Sequence, residues 1–224
     1  MRAILRTIIF LVISLPVWAL GLGDLTDGEA SGGLKEALTQ GATQAVSLLG
    51  KPDGFLKNKK VRIPLPDGLA QAEPVLRGMG QGQALDDLVT AMNRAAEQAV
   101  PAGRALLVDA VRHIGVSDAL RIVRGGSTSV TDFFVTRTRE PLAGKFLPIV
   151  SAATKKVKLA ERYHALAAKA AGFGLLRQED VRLEPYVTGK ALDGLYFMIA
   201  EEERKIRADP LRTGSRILQA VFGR

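Results

Sequence analysis

From Leu34 onward the apolar residues recur three and four positions apart, at Leu34, Leu38, Ala42, Ala45, Leu48 and Leu49, until Gly50 and Pro52 interrupt them. That spacing lines one face of a helix and predicts a first core helix over 33–49. A short helix is expected from Asp67-Gly68 to Arg77, closed by Gly78-Met79-Gly80-Gln81-Gly82. A longer one follows over 84–100, with Leu85, Leu88, Val89, Met92, Ala95, Ala96 and Ala99 inward. Pro101 suits the first turn of a helix and restarts the pattern to Ile114. Ser117 is expected to cap a helix to Val123 that Gly125-Gly126 ends, and Ser129 with Asp132 to form a capping box for the next. Pro141 is read as opening a separate helix, and further helices are predicted over 155–171, 188–208 and 210–222.

One stretch resists a helical reading. Val61, Ile63 and Leu65 alternate to one side of an extended segment, while Pro64 and Pro66 forbid both a helix and a central strand. An extended arm lying across helices is therefore expected around 53–66. The prediction is an all-α class: a single globular domain of about ten helices, one short Pro-containing arm and no sheet.

The segment Ala191-Leu192-Asp193-Gly194-Leu195-Tyr196-Phe197-Met198-Ile199-Ala200 is apolar on every side, which marks a helix surrounded by protein and places it at the hub. Gly194 inside it costs roughly 1 kcal/mol against Ala, so it is expected to admit the close approach of another backbone. Lys190 and Asp193, spaced i and i+3, are expected to pair. Beyond Glu201, the pairs Glu201–Lys205 and Glu203–Arg207 stand in the acid-before-base i,i+4 order of a solvated helix end. Three consecutive carboxylates spread around the helix and do not converge on one ion.

No catalytic constellation is evident. His113 and His164 lie in different predicted helices, each with a local carboxylate, Asp109 or Glu161, so neither forms a zinc motif. No serine has the setting of a nucleophile elbow. The loop Gly125-Gly126-Ser127-Thr128-Ser129 reads as a helix cap, with anion binding the lesser option. The basic clusters at 57–62 and 155–158 have few aromatic neighbours for stacking bases, so they read as solvated, with anionic envelope surfaces second. No metal or cofactor is expected.

The N-terminus supplies the location. Arg2 and Arg6 precede an apolar run from Ile8 to Leu15, Pro16 breaks it, and Val17-Trp18-Ala19 offers small residues for cleavage. The run is short for a span of roughly 20 residues. Residues 1–19 are thus read as a signal peptide cleaved after Ala19, 20–32 as a flexible leader and 33–224 as the helical domain. The 224 residues then become 205 and the net charge falls from +8 to +6 with the loss of Arg2 and Arg6. The chain has no cysteine, so an exported form has no disulfide and is held by packing alone. A moderate basic excess favours peripheral contact with an anionic membrane surface; nucleic acid is not an expected partner of an exported chain.

Several stretches taken together carry a resemblance: Asp53-Gly54-Phe55 with Asn58, Ile63-Pro64-Leu65-Pro66, Arg94-Ala95-Ala96-Glu97, Thr131-Asp132-Phe133-Phe134 and Tyr186-Val187-Thr188-Gly189-Lys190-Ala191-Leu192-Asp193-Gly194-Leu195. With Ile206-Arg207-Ala208-Asp209-Pro210 and Val221-Phe222, the chain resembles the exported bacterial family called domain of unknown function 4197. The resemblance implies an all-helical domain in the envelope of Gram-negative bacteria and supplies no activity. Some relatives look like lipoproteins; the absence of cysteine implies a soluble periplasmic form here.

The favoured reading is a non-enzymatic periplasmic module that binds an unidentified envelope ligand or protein in a groove between helices. The alternatives are a carboxylate-dependent hydrolase built around 188–200 and a purely structural envelope role. The candidate binding residues are Lys190 and Asp193, then Asp132, Arg94 and Glu97, charged side chains beside strongly apolar helical sequence.

Overall fold

The computed structural model describes residues 27–174 and 182–209. The segment read as a signal peptide and the helix expected over 210–222 lie outside them. Eight α-helices follow in order: α1 (Asp27–Leu49), α2 (Asp67–Leu76), α3 (Gly82–Ala99), α4 (Arg104–Arg112), α5 (Val116–Arg124), α6 (Ser129–Lys156), α7 (Leu159–Gly172) and α8 (Leu183–Ala208). A kink at Arg77–Gln81, turned by Gly80 in the left-handed region at φ +77°, joins α2 to α3, and a 3-10 turn, Val100–Gly103, joins α3 to α4. No strand occurs among the described residues.

The all-helical class is as expected, but the helices are fewer than ten. The stretch split at Pro141 is one helix of 28 residues with Pro141 and Pro148 inside it. Its buried residues are Val130, Phe134, Thr138, Leu142, Phe146, Val150 and Thr154, every fourth position. Residues four apart advance about 40° around a helix, so this stripe winds about 240° around α6 and meets different neighbours along its length. Five buried apolar side chains, at about 1.5–3 kcal/mol each, outweigh two interior prolines at about 3 kcal/mol each. Both prolines are exposed, and so are Arg137 and Gly144, whose carbonyls lose a partner and are left to water.

Other boundaries move for local reasons. α1 extends back to Asp27, into the expected leader. α8 starts at Leu183 because buried Leu183 and Val187 extend its packed face before Thr188. Ser117 lies inside α5, whose N-cap is Gly115, and Ser129 is the first residue of α6, after the N-cap Thr128.

α8 is the hub, packed most extensively on α6 and also against α1 and α3. Val187, Ala191, Leu195 and Ile199 are buried, with Tyr196 and Met198 on other sides. The arm, 50–66, turns off α1 and runs over α3 and α8 with Val61, Ile63 and Leu65 buried, as their alternation predicts. Gly54 is required at its first turn, since a Cβ there would lie 2.5 Å from the carbonyl oxygens of Leu48 and Leu49.

Candidate functional site

The arm is held by side chains that take over the work of a neighbouring strand. Asn93 of α3 is fully buried; its Oδ1 accepts the Ile63 N–H at 2.8 Å, and its Nδ2 donates to the Ile63 carbonyl at 2.9 Å and the Val89 carbonyl at 2.7 Å. One amide thus satisfies both main-chain groups of Ile63, which Pro64 and Pro66 keep out of a sheet. One turn further, Glu97 Oε1 accepts the N–H groups of Phe55 (3.0 Å) and Leu56 (3.1 Å), while Oε2 accepts from Arg94 at 2.7 Å. Arg94 also reaches Asp53 at 2.6 Å. Hydrogen bonds from Lys57, then Arg94, hold the Asp53 carboxyl below its usual range. From α8, the Tyr186 hydroxyl donates to the Pro64 carbonyl at 3.1 Å, and burial pushes that phenol up to about 12.

The ring of Phe55 presses on α8 at Gly194, where a Cβ would lie 2.6 Å from the Phe55 ring. The close approach expected at Gly194 is therefore real, but a side chain and not another backbone makes it. Arg94 and Glu97, two of the five candidate residues, are engaged in seating the arm.

At the far end of α8, Glu203 and Arg207 depart from the solvated pair their spacing suggested. The Glu203 side chain is 1% exposed. It accepts the N–H groups of Val130 and Thr131 at 3.1 Å each, the Thr131 hydroxyl at 3.0 Å and Arg207 at 3.0 Å. Arg207 also donates to Ser129 Oγ at 2.7 Å and to the Ile122 carbonyl at 3.2 Å. The N-terminus of α6 does hold an anion, and the anion is a carboxylate of the same chain. The expected Ser129–Asp132 box is displaced: Ser129 Oγ donates to the Ile122 carbonyl at 2.7 Å, and exposed Asp132 accepts from Thr128 at 3.1 Å.

The remaining candidates, Lys190 and Asp193, lie on the exposed side of α8 and do not pair with each other. Asp193 accepts from Arg139 of α6 at 2.7 Å, and Lys190 lies over the Tyr186 ring at 5.8 Å. A base preceding an acid on a helix is the weaker order, and cross-helix partners win. The five residues thus divide among three places: the arm, the start of α6 and the outer face of α8.

The Arg139–Asp193 bridge spans one end of an open trough between α6 and α8. Val135, Ala143 and Leu147 form one wall, and Pro185, Thr188 and Leu192 the other. Gly144 and Gly189 lie in opposite walls, and a Cβ built on either meets nothing within 4 Å. Leu147 is 40% exposed, whereas Thr188 is 5% exposed and its buried hydroxyl has no hydrogen-bond partner. A buried hydroxyl left unpaired costs about 1–3 kcal/mol, and this one is sealed beneath the trough wall.

Sequence reasoning missed Asn93, Arg139, Thr188 and the burial of Glu203. Asn93 did carry a signal, being a polar residue four after Val89 on an otherwise apolar helix face. Among the described residues no His, Cys, Asp and Glu side chains group in threes as metal ligands, and no helix is long and apolar enough to cross a membrane. His113 Nδ1 lies 2.9 Å from the Asp109 main-chain carbonyl and 3.6 Å from its carboxylate on the surface, so the local contact is with the main chain and not the carboxylate hydrogen bond that the spacing suggested.

These features define an all-helical domain whose hub helix, α8, is packed on one side by a polar-clamped arm and flanked on another by an open trough. The chain belongs to the DUF4197 family, described as a protein of unknown function, whose family model matches residues 24–223. None of the curated proteins and none of the solved structures compared matches it.

Proposed function

We propose that this protein is an exported, periplasmic binding module and that the trough between α6 and α8 is its binding site. The observation that carries the reading is an open trough between α6 and α8 lined by the apolar side chains of Val135, Ala143, Leu147, Pro185 and Leu192, with Leu147 left exposed. Apolar walls that stay open to solvent, with charged side chains at the rim, suit a surface completed by something else. Lys190 and Asp193 flank it on α8, which supports their place among the binding residues. Export is supported by the basic, apolar and small-residue succession of residues 2–19.

Native mass spectrometry of the protein purified gently from the periplasm of its own host, compared with its denatured mass, tests both parts. The expected result is the mass of a chain cleaved after Ala19, free of tryptophan because Trp18 is the only one, with additional mass that leaves on denaturation. A chain retaining indole absorbance contradicts the cleavage, and a bare monomer contradicts the binding role.

A further inference from the structure

We propose that the arm carries a second contact, a basic face built on its turn at 57–62 that docks on an anionic phospholipid surface, independently of the trough. Lys57, Lys59, Lys60 and Arg62 are all exposed on this turn. They project from fixed main chain. The Asn58 carbonyl accepts the N–H groups of Val61 at 3.1 Å and Arg62 at 2.9 Å, and its Oδ1 accepts that of Lys60 at 3.2 Å. Buried Phe55 and Val61 seat the turn against α8 at Gly194. Approach to a charged surface therefore orders cationic side chains but no main chain.

Internal pairing leaves this face positive. Asp53 is shared by Lys57 at 2.8 Å and Arg94 at 2.6 Å, and Glu201 of α8 by Lys60 at 2.6 Å and Arg204. Lys59 and Arg62 have no carboxylate in contact among the described residues; Arg62 senses the charge of Asp86, which Arg77 already holds at 2.6 Å. The occupant follows from what the face lacks. Protein interfaces centre on apolar and aromatic anchors, and none of the exposed large apolar side chains among the described residues, such as Leu147 or Phe173, lies on this turn. Lysine ammoniums are hydrated point charges that need no fixed partner geometry, which suits a diffuse sheet of lipid phosphates.

Cosedimentation of the chain purified from its host tests this, with vesicles of phosphatidylcholine alone and of phosphatidylcholine with an equal part of phosphatidylglycerol. Binding is expected only to the vesicles with phosphatidylglycerol, and it should weaken as salt shortens the screening length to about 10 Å at 0.1 M. Each cation near an anionic surface is worth about fivefold in partition, so Lys59→Gln with Arg62→Gln should lower it about 25-fold. Both side chains are exposed, so the melting temperature should hold. Lys155→Gln with Lys156→Gln removes the same charge from the end of α6. Because α6 runs antiparallel to α8, that pair stands roughly 30 Å from Glu201 at about 1.5 Å per residue, and its loss should cost less than about twofold. Equal binding to both vesicles, or an equal loss in the two variants, overturns the proposal. So does a protein retained by the wild type and lost by the arm variant without vesicle binding, which assigns the face to an acidic partner.

Discussion

The arm and the trough flank the same helix and treat polar groups in opposite ways. Under the arm, each buried polar group of α3 is spent: Asn93 makes three hydrogen bonds to main chain, and Glu97 accepts two main-chain N–H groups and a guanidinium. Beneath the trough wall the buried Thr188 hydroxyl makes none. Glycine differs in the same sense: Gly194 under the arm is filled by Phe55, whereas Gly144 and Gly189 open onto free space. Saturated, filled positions belong to folding. Positions left open to solvent are where the proposed binding role has room to act, because no described side chain fills them.

That contrast breaks most sharply at buried charge. Glu203→Ala should destabilise the chain by about 3–5 kcal/mol, since it leaves Arg207 and two N–H groups of α6 without their carboxylate. Denaturant unfolding measures it, and a loss under about 1 kcal/mol would return Glu203 to the solvated helix end. Asn93→Leu should cost about 2–3 kcal/mol by stranding the N–H and carbonyl of Ile63, and it should release the arm to proteolysis before the helices unfold. Gly194→Ala should cost about 1–3 kcal/mol by driving the Phe55 ring from its seat.

A smaller effect follows from pH. The Tyr186 phenol is raised from 10.0 to about 12 by burial and by the charge of Asp67. A raised folded-state value means that its contribution is complete below pH 10.0 and is lost as pH rises through about 12. Because this hydroxyl donates to Pro64, the arm should loosen over that window, and Tyr186→Phe should remove this part of the alkaline transition. An unaltered transition in the variant would assign the loss elsewhere. Smallest of all, Gly189→Ala should be neutral or stabilising by up to about 1 kcal/mol, the opposite sign from Gly194→Ala on the same helix.

Much of the fold was legible because it rests on periodicity. The inward residues assigned to α3, from Leu85 to Ala99, are buried, as are alternating Val61, Ile63 and Leu65 of the arm, and the all-round apolar stretch of α8 is the hub. α6 was misread because its buried stripe winds around the helix and its prolines mimic a helix start. The site was less legible for a different reason. Glu203 and Arg207 have the spacing of a surface pair, and only the distant N-terminus of α6 folding onto them makes them a buried cap. Lys190 and Asp193 were correctly placed on one helix, yet their partners, Tyr186 and Arg139, are set by side-chain direction and by α6, which local charge order does not reveal.

The most direct test of the contrast is native mass spectrometry of three chains purified from the host periplasm, wild type, Gly189→Leu and Asn93→Leu, each with its melting temperature. The account predicts additional mass on the wild type, its loss from Gly189→Leu without any lowering of the melting temperature, and a lowered melting temperature only in Asn93→Leu. Additional mass retained by Gly189→Leu, or absent from all three, would contradict the trough as the binding face.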